Sequence, residues 1–225
     1  LSQDLCINNN PATILVFWGS LGAMNDVTHL CLFDIPLISN IPNMVYLAPT
    51  CREEYLAMLD WSIQQTEHPV AIRVPATGVA GGSRSGAFPT DYEPEMNRFE
   101  MAHCGSGVAI IGVGNFFALA VTVAEQLKQS GIDATVVNPR FLTGLDTERL
   151  EDLRDSHSLV VTLEDGVLDG GYGEKIARYY GESEMRVMCR GVRKEFIDRY
   201  NVGEEYAANR PTSDQITADI LEILN

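Results

Sequence analysis

The chain has 225 residues, 45% of them hydrophobic, and its 16 Lys and Arg stand against 31 Asp and Glu, a formal net charge of −15. That length accommodates one large domain or two small ones, with apolar residues enough for sizeable cores. A field of that sign repels polyanions, so nucleic acid and anionic membranes are excluded as expected partners.

The first half alternates strand and helix signals. ATILVFWG, residues 12–19, predicts a short strand closed by glycine, and NMVYLAPT, residues 43–50, predicts another closed by Pro49. CREEYLAMLDWSIQQ follows as a helix, with Tyr55, Met58, Leu59 and Ile63 near helical period and Thr50 with Glu53 at capping-box spacing. HPVAIRVP, residues 68–75, is a third strand. Such continuous apolar strands fit a parallel sheet covered on both faces. From Ala76 to about Ala102 the chain turns Gly-, Ser- and Pro-rich without period, which predicts a linker or surface loop and a domain boundary.

The second half continues the alternation. GVAIIGVG, residues 107–114, is a strand, and NFFALAVTVAEQLKQSG is a helix with Phe117, Ala120, Val121, Ala124 and Leu127 on one face and Gly131 as its stop. DATVVNP is a strand, and LDTERLEDLRDS is a helix with Asp146 as N-cap. HSLVVTLED is a strand, GGYGEKIARYYG a helix, MRVMCRGV a strand and SDQITADILEIL a closing amphipathic helix. The expectation is α/β: two α/β domains with mainly parallel sheets.

Ligands gather at the carboxyl ends of strands in open α/β sheets. The loop after the first strand carries Asn25, Asp26, Thr28 and His29, and Asp34 interrupts the apolar run that follows. Arg73 lies inside an apolar strand, where its charge must be paired or serve a ligand. An ion pair with Asp34 and a ligand site both satisfy that demand. EDGVLDGGYGEK and GVGNFF place glycines at helix starts, which serves either an anion or close packing. The five cysteines form no CxxC pair and the four histidines have no ligand spacing, so no metal site is expected. No apolar run approaches the ~18 residues of a membrane-spanning helix, and no basic, apolar leader opens the chain. A soluble, cytoplasmic protein is expected.

The segments THLCLFDI, IPNMVYLAPTCREEYLAMLDWSI and HPVAIRVP resemble the later part of the pyrimidine-binding domain of transketolase-like thiamine-diphosphate enzymes. GVAIIGVGNFFALAVTVAEQL, VNPRFLTGLD and VTLEDGVLDGGYGEKIA are similar to that group's C-terminal domain. Within the group, the resemblance is greatest to the 1-deoxy-D-xylulose-5-phosphate synthases. It implies a partial pyrimidine-binding domain over residues 1–78, a linker over 79–104 and a transketolase C-terminal-like domain over 105–225. It also implies condensation of pyruvate with D-glyceraldehyde 3-phosphate, with thiamine diphosphate and Mg²⁺ as cofactors of the full-length, homodimeric enzyme. The product would feed isoprenoid, thiamine and pyridoxal biosynthesis.

By position, the resemblance makes His29 the catalytic histidine and Arg73 the arginine that holds the acceptor phosphate. Asn25 or Asp26 falls where the family carries an aspartate near substrate hydroxyls. The sequence departs from the family at Cys31, at Phe17 and Trp18, and at Ala76, where glycine and two arginine-bearing segments are usual. The family's activating glutamate and its diphosphate motif would lie before Leu1. The chain is therefore expected to be an inactive fragment, completed by a missing N-terminal region or a separate subunit. The alternative is a non-catalytic, transketolase-like assembly module.

Overall fold

Continuous apolar strands, buried on both faces, form two layers that share a core. In the computed structural model, residues 1–20, 27–29, 31–75, 78–79, 94–197 and 210–224 are described, with residues 204 and 208. The first layer holds β1 (Ala12–Phe17), β2 (Val45–Leu47) and β3 (Pro69–Val74) in the order β1-β3-β2, all parallel. Between them run the short α1 (Asp34–Ile38) and the longer α2 (Arg52–Gln64). The second layer holds β4 (Glu100–His103), β5 (Gly107–Gly112), β6 (Thr135–Asn138), β7 (His157–Val167) and β8 (Arg186–Val192). Their order is β4-β6-β5-β7-β8, parallel except at β4. Its helices are α3 (Phe116–Gln129), α4 (Thr147–Arg154), α5 (Tyr172–Tyr180) and α6 (Ser213–Leu224).

The period of two along β5 shows how the layers join. Val108 and Ile110 point to α3 and α6, while Ala109 and Ile111 point into a core with Ile35, Tyr46 and Ala71 of the first layer. Backbone bonds stitch the same seam. Leu47 and Phe141 form an antiparallel bridge, the Ala48 N–H donates to the Arg140 carbonyl at 2.9 Å, and the Leu142 N–H donates to the Tyr46 carbonyl at 2.8 Å. Lys175 of α5 reaches across as well, donating to the Ser39 hydroxyl at 2.8 Å and to the Leu142 carbonyl at 2.8 Å. Burial lowers its pKa to about 8.

The helices and strands expected from the sequence are present, including the Asp146 N-cap, whose side chain accepts from the Arg149 N–H, and the turn at Gly131, which takes a φ of +84°. Three details differ. The expected linker at 79–104 ends in a strand, because β4 pairs antiparallel with β6 and belongs to the second sheet. Glu54, not Glu53, reaches back to Thr50, because Cys51 is the N-cap and Glu54 is then the third helical residue. The buried face of α3 is Phe116, Phe117, Leu119, Ala120, Val123 and Leu127, so Val121 and Ala124 sit at its margin. Among the described residues, no helix is long and apolar enough to cross a membrane.

Candidate functional site

The carboxyl rim of the first sheet is built where β1 and β3 end side by side. Val16 pairs with Arg73 and Phe17 with Val74, and the Gly19 N–H then donates to the Val74 carbonyl at 3.3 Å. Between these strand ends Trp18 adopts the left-handed conformation, with φ +64°, which bulky residues rarely take. Its carbonyl accepts from the Cys31 N–H at 3.3 Å, tying the start of the loop to its end. The Trp18 ring stands edge-on to His29, with centroids 5.4 Å apart. His29 is exposed on a short 3₁₀ turn, Val27–His29, and its Nδ1 lies 3.0 Å from the Thr28 hydroxyl. Asn25 and Asp26, the other residues assigned to this loop, lie outside the described residues.

Arg73, beside Gly19 at this strand end, is only 1% exposed. Its Nε donates to Asp34 Oδ2 at 2.6 Å, and its Nη2 donates to Asp34 Oδ1 at 3.3 Å and to the Asp165 carbonyl at 2.5 Å. The Tyr46 hydroxyl donates to the same Asp34 carboxylate. Burial opposes the Arg73 charge, but the Asp34 carboxylate outweighs it and raises the guanidinium pKa above its ordinary value. Burial, reinforced by Asp34, raises the pKa of the Tyr46 phenol and lifts the Cys31 thiol to about 11, so that thiol is inert at neutral pH. The ion pair with Asp34 is formed. Nη1 alone is left, buried and without a partner among the described residues. Gly19 is required here, since a Cβ would stand 2.9 Å from both Arg73 Nε and Asp34 Oδ2.

Glu164, three residues before the end of β7, opens the EDGVLDGGYGEK segment. Its carboxylate accepts the Tyr172 N–H at 2.8 Å and the Gly173 N–H at 2.9 Å, so the first turn of α5 is filled from within. Burial raises its pKa to about 7 against the pull of those two N–H groups. The glycines of this segment serve that contact: a Cβ on Gly171 would meet Glu164 Oε2 at 2.5 Å. At the other glycine-rich helix start, a Cβ on Gly112 would meet the Phe117 Cα at 2.6 Å. Both segments are close-packing devices.

A further buried carboxylate, Glu54, spans the seam. It accepts from the Thr50 N–H and hydroxyl, from Asn138 Nδ2 at 3.0 Å and from Arg140 Nε at 2.9 Å. Only its place near a helix start was visible in the sequence; its partners lie 84 and 86 residues away.

Residues 98–216 match the family model of the transketolase C-terminal domain. The chain belongs to that family. The 1-deoxy-D-xylulose-5-phosphate synthase of Clostridium tetani (strain Massachusetts / E88) is 30% identical over 224 residues, covering 99% of this chain and 35% of that protein. The synthase of Crocosphaera subtropica (strain ATCC 51142 / BH68) is 33% identical over 226 residues, 98% of this chain and 35% of that protein. This transketolase-family chain thus spans about a third of the length of the curated relatives it matches. Among solved structures, a split-gene transketolase described as an inactive β4 tetramer superposes with TM-score 0.83 at 23% identity, covering 98% of this chain and 69% of that one. A transketolase mutant from Pichia stipitis superposes with TM-score 0.69 at 17% identity, covering 94% of this chain and 30% of that one. These last two establish the shared fold.

Proposed function

We propose that the chain supplies one rim and the C-terminal domain of a thiamine-diphosphate-dependent transferase. This enzyme condenses pyruvate with D-glyceraldehyde 3-phosphate to 1-deoxy-D-xylulose 5-phosphate and carbon dioxide. The observation carrying this reading is identity of 30–33% to such synthases along 98–99% of the chain. His29 is the proton-exchanging residue in this reading. It is exposed at the rim, and an imidazole can take or give a proton at a substrate oxygen near neutral pH. Asn25 or Asp26 would bind substrate hydroxyls from the same loop. Arg73 orders the rim, and its Nη1 is the one donor it keeps for an acceptor group.

The described residues do not fit the diphosphate and Mg²⁺ end of the cofactor. No group of three His, Cys, Asp or Glu among them could hold a metal ion. In this reading those contacts come from other polypeptide, either a longer chain or a separate subunit in a cytoplasmic homodimeric assembly. The chain by itself is therefore inactive in this reading. The test supplies thiamine diphosphate, Mg²⁺, pyruvate and the aldehyde to the chain alone, and to the chain mixed with the region of the Clostridium tetani synthase that the match leaves out. Turnover is expected only in the mixture. Turnover by the chain alone defeats the incomplete-site reading.

A second reading is a non-catalytic or split-subunit assembly module. Likeness to a split-gene transketolase over 98% of the chain, with Phe17 and Trp18 in place of the usual arginine segment, supports it. It predicts a stable complex in the same mixture with no turnover.

A further inference from the structure

Arg73 and Arg140, at the seam between the layers, are held by carboxylates. Two cations of α5 are not. Lys175 and Arg178 lie one turn apart on the helix, near enough for the guanidinium to oppose the ammonium charge. Among the described residues, neither has a carboxylate within ion-pair distance. The three Lys175 protons go to neutral oxygens, the Ser39 carbonyl and hydroxyl and the Leu142 carbonyl. Glu174, the acid beside them, is turned to the Gly170 N–H at 2.7 Å. Glu164, the carboxylate that acts on Lys175, has a pKa of about 7 and is partly protonated at neutral pH. Lys175 and Arg178 line a cleft of about 360 Å³ between the layers. Asn40, after α1, and Thr143 and Gly144, in the loop after β6, complete its polar lining. Asn40 spends one amide N–H on the Pro36 carbonyl at 2.7 Å and keeps the other. A cleft of this size suits a small molecule.

We infer that this cleft binds a small phosphorylated anion, held by the Arg178 guanidinium, the Asn40 amide and the Thr143 hydroxyl, with the Lys175 charge behind them. An arginine fork matches phosphate oxygens bidentately, and an ammonium serves as a point charge. Lys175 supplies charge without a bond, because Ser39 and Leu142 hold its protons. Two cations without a paired acid favour a dianion over a monocarboxylate. The chain's net charge of −15 repels anions at long range. Physiological salt screens that field beyond about 8 Å, so the local cations decide. The cleft shares no lining residue with the Trp18, His29 and Arg73 rim, and the inference does not rest on the activity proposed above.

The test titrates the full chain with potassium pyrophosphate, free of divalent cations, by isothermal calorimetry. Saturable one-to-one binding is expected. Arg178 is exposed, so Arg178→Gln should keep native melting and lose about tenfold or more in affinity. Arg178→Glu, which reverses the charge, should abolish binding. Lys128→Gln removes an exposed cation of α3 outside the cleft and should bind as wild type does. Absence of saturable binding, wild-type affinity in either Arg178 variant, or an equal loss in Lys128→Gln would each overturn the inference. So would a response matched by potassium chloride at equal ionic strength, since that is screening of the net charge. The readout is binding without cofactor or turnover, so it stands or falls separately from the condensation reading.

Discussion

The Arg73 guanidinium lies 2.6 Å from the Asp34 carboxylate across 39 residues of chain, with both side chains shut away from water. That contact explains why an acidic residue interrupts the apolar run Leu32–Ile35: its partner arrives from β3, and Tyr46 shares the same oxygen. Removing one member of a buried pair strands the other charge, which costs more than the pair contributes. Asp34→Ala is therefore expected to lose about 3–5 kcal/mol in urea denaturation. The double variant Asp34→Leu with Arg73→Met should lose less than Asp34→Ala alone. An equal or larger loss in the double variant would mean that the pair itself, not an orphaned charge, carries the stability.

Glu164 gives a pH dependence with a definite sign. Its carboxyl pKa rises from 4.5 to about 7 on folding, chiefly through burial. The folded state therefore holds the proton more tightly than the unfolded state. Stability from this group is complete below pH 4.5 and is lost as pH rises to about 7. The slope approaches about 1.4 kcal/mol per pH unit. Glu164→Gln removes the titration, so the stability of wild type relative to the variant should fall through that window. A difference that stays flat would show that the two N–H donors of α5 fully offset the cost of burying the charge.

Glu54 is expected to control whether the two layers unfold together. It joins α2 to Asn138 at the end of β6 and to Arg140 just beyond, and Arg140 also pairs with Glu100 at 3.1 Å. Glu54→Ala should cost about 3 kcal/mol, because it removes several charge-assisted bonds at once. The sharper readout is cooperativity. A seam weakened at this point should give a lower m-value or a biphasic urea transition. A single transition with unchanged m would place the coupling in the shared apolar core and the Lys175 contacts instead.

Local patterns in the sequence carried the strand and helix alternation, because continuous apolar strands and capped helices are short-range signals. Asp146 and Gly131 are of that kind. β4 was not legible: its four residues follow a Gly- and Pro-rich stretch, and β6, not any pattern of its own, makes it a strand. Ile63 fits the helical period yet faces outward, since periodicity marks a face but not whether anything covers it. The rim was partly legible. Arg73 announced itself as a charge in a buried strand, and Asp34 as an acid in an apolar run. The internal filling of the α5 start by Glu164 depends on a chain reversal over eight or nine residues, which spacing alone does not reveal.

His29 separates chemistry from stability more cleanly than any other rim residue. Its exposed ring stands edge-on to Trp18 and lies against the Thr28 hydroxyl. His29→Ala should therefore change unfolding free energy by only about 0.5 kcal/mol, the range of ordinary surface substitutions. In the complemented assembly it should lower kcat by about 10²–10⁴, the usual contribution of a positioned proton donor or acceptor. Trp18→Gly supplies the control. It relieves the left-handed backbone at φ +64° and removes the ring that steadies the imidazole. If proton exchange at His29 limits turnover, that variant should be at least as stable as wild type yet slower. Wild-type turnover in His29→Ala would remove the imidazole from the reaction. The rim would then be a structural margin, and the assembly-module reading would take its place.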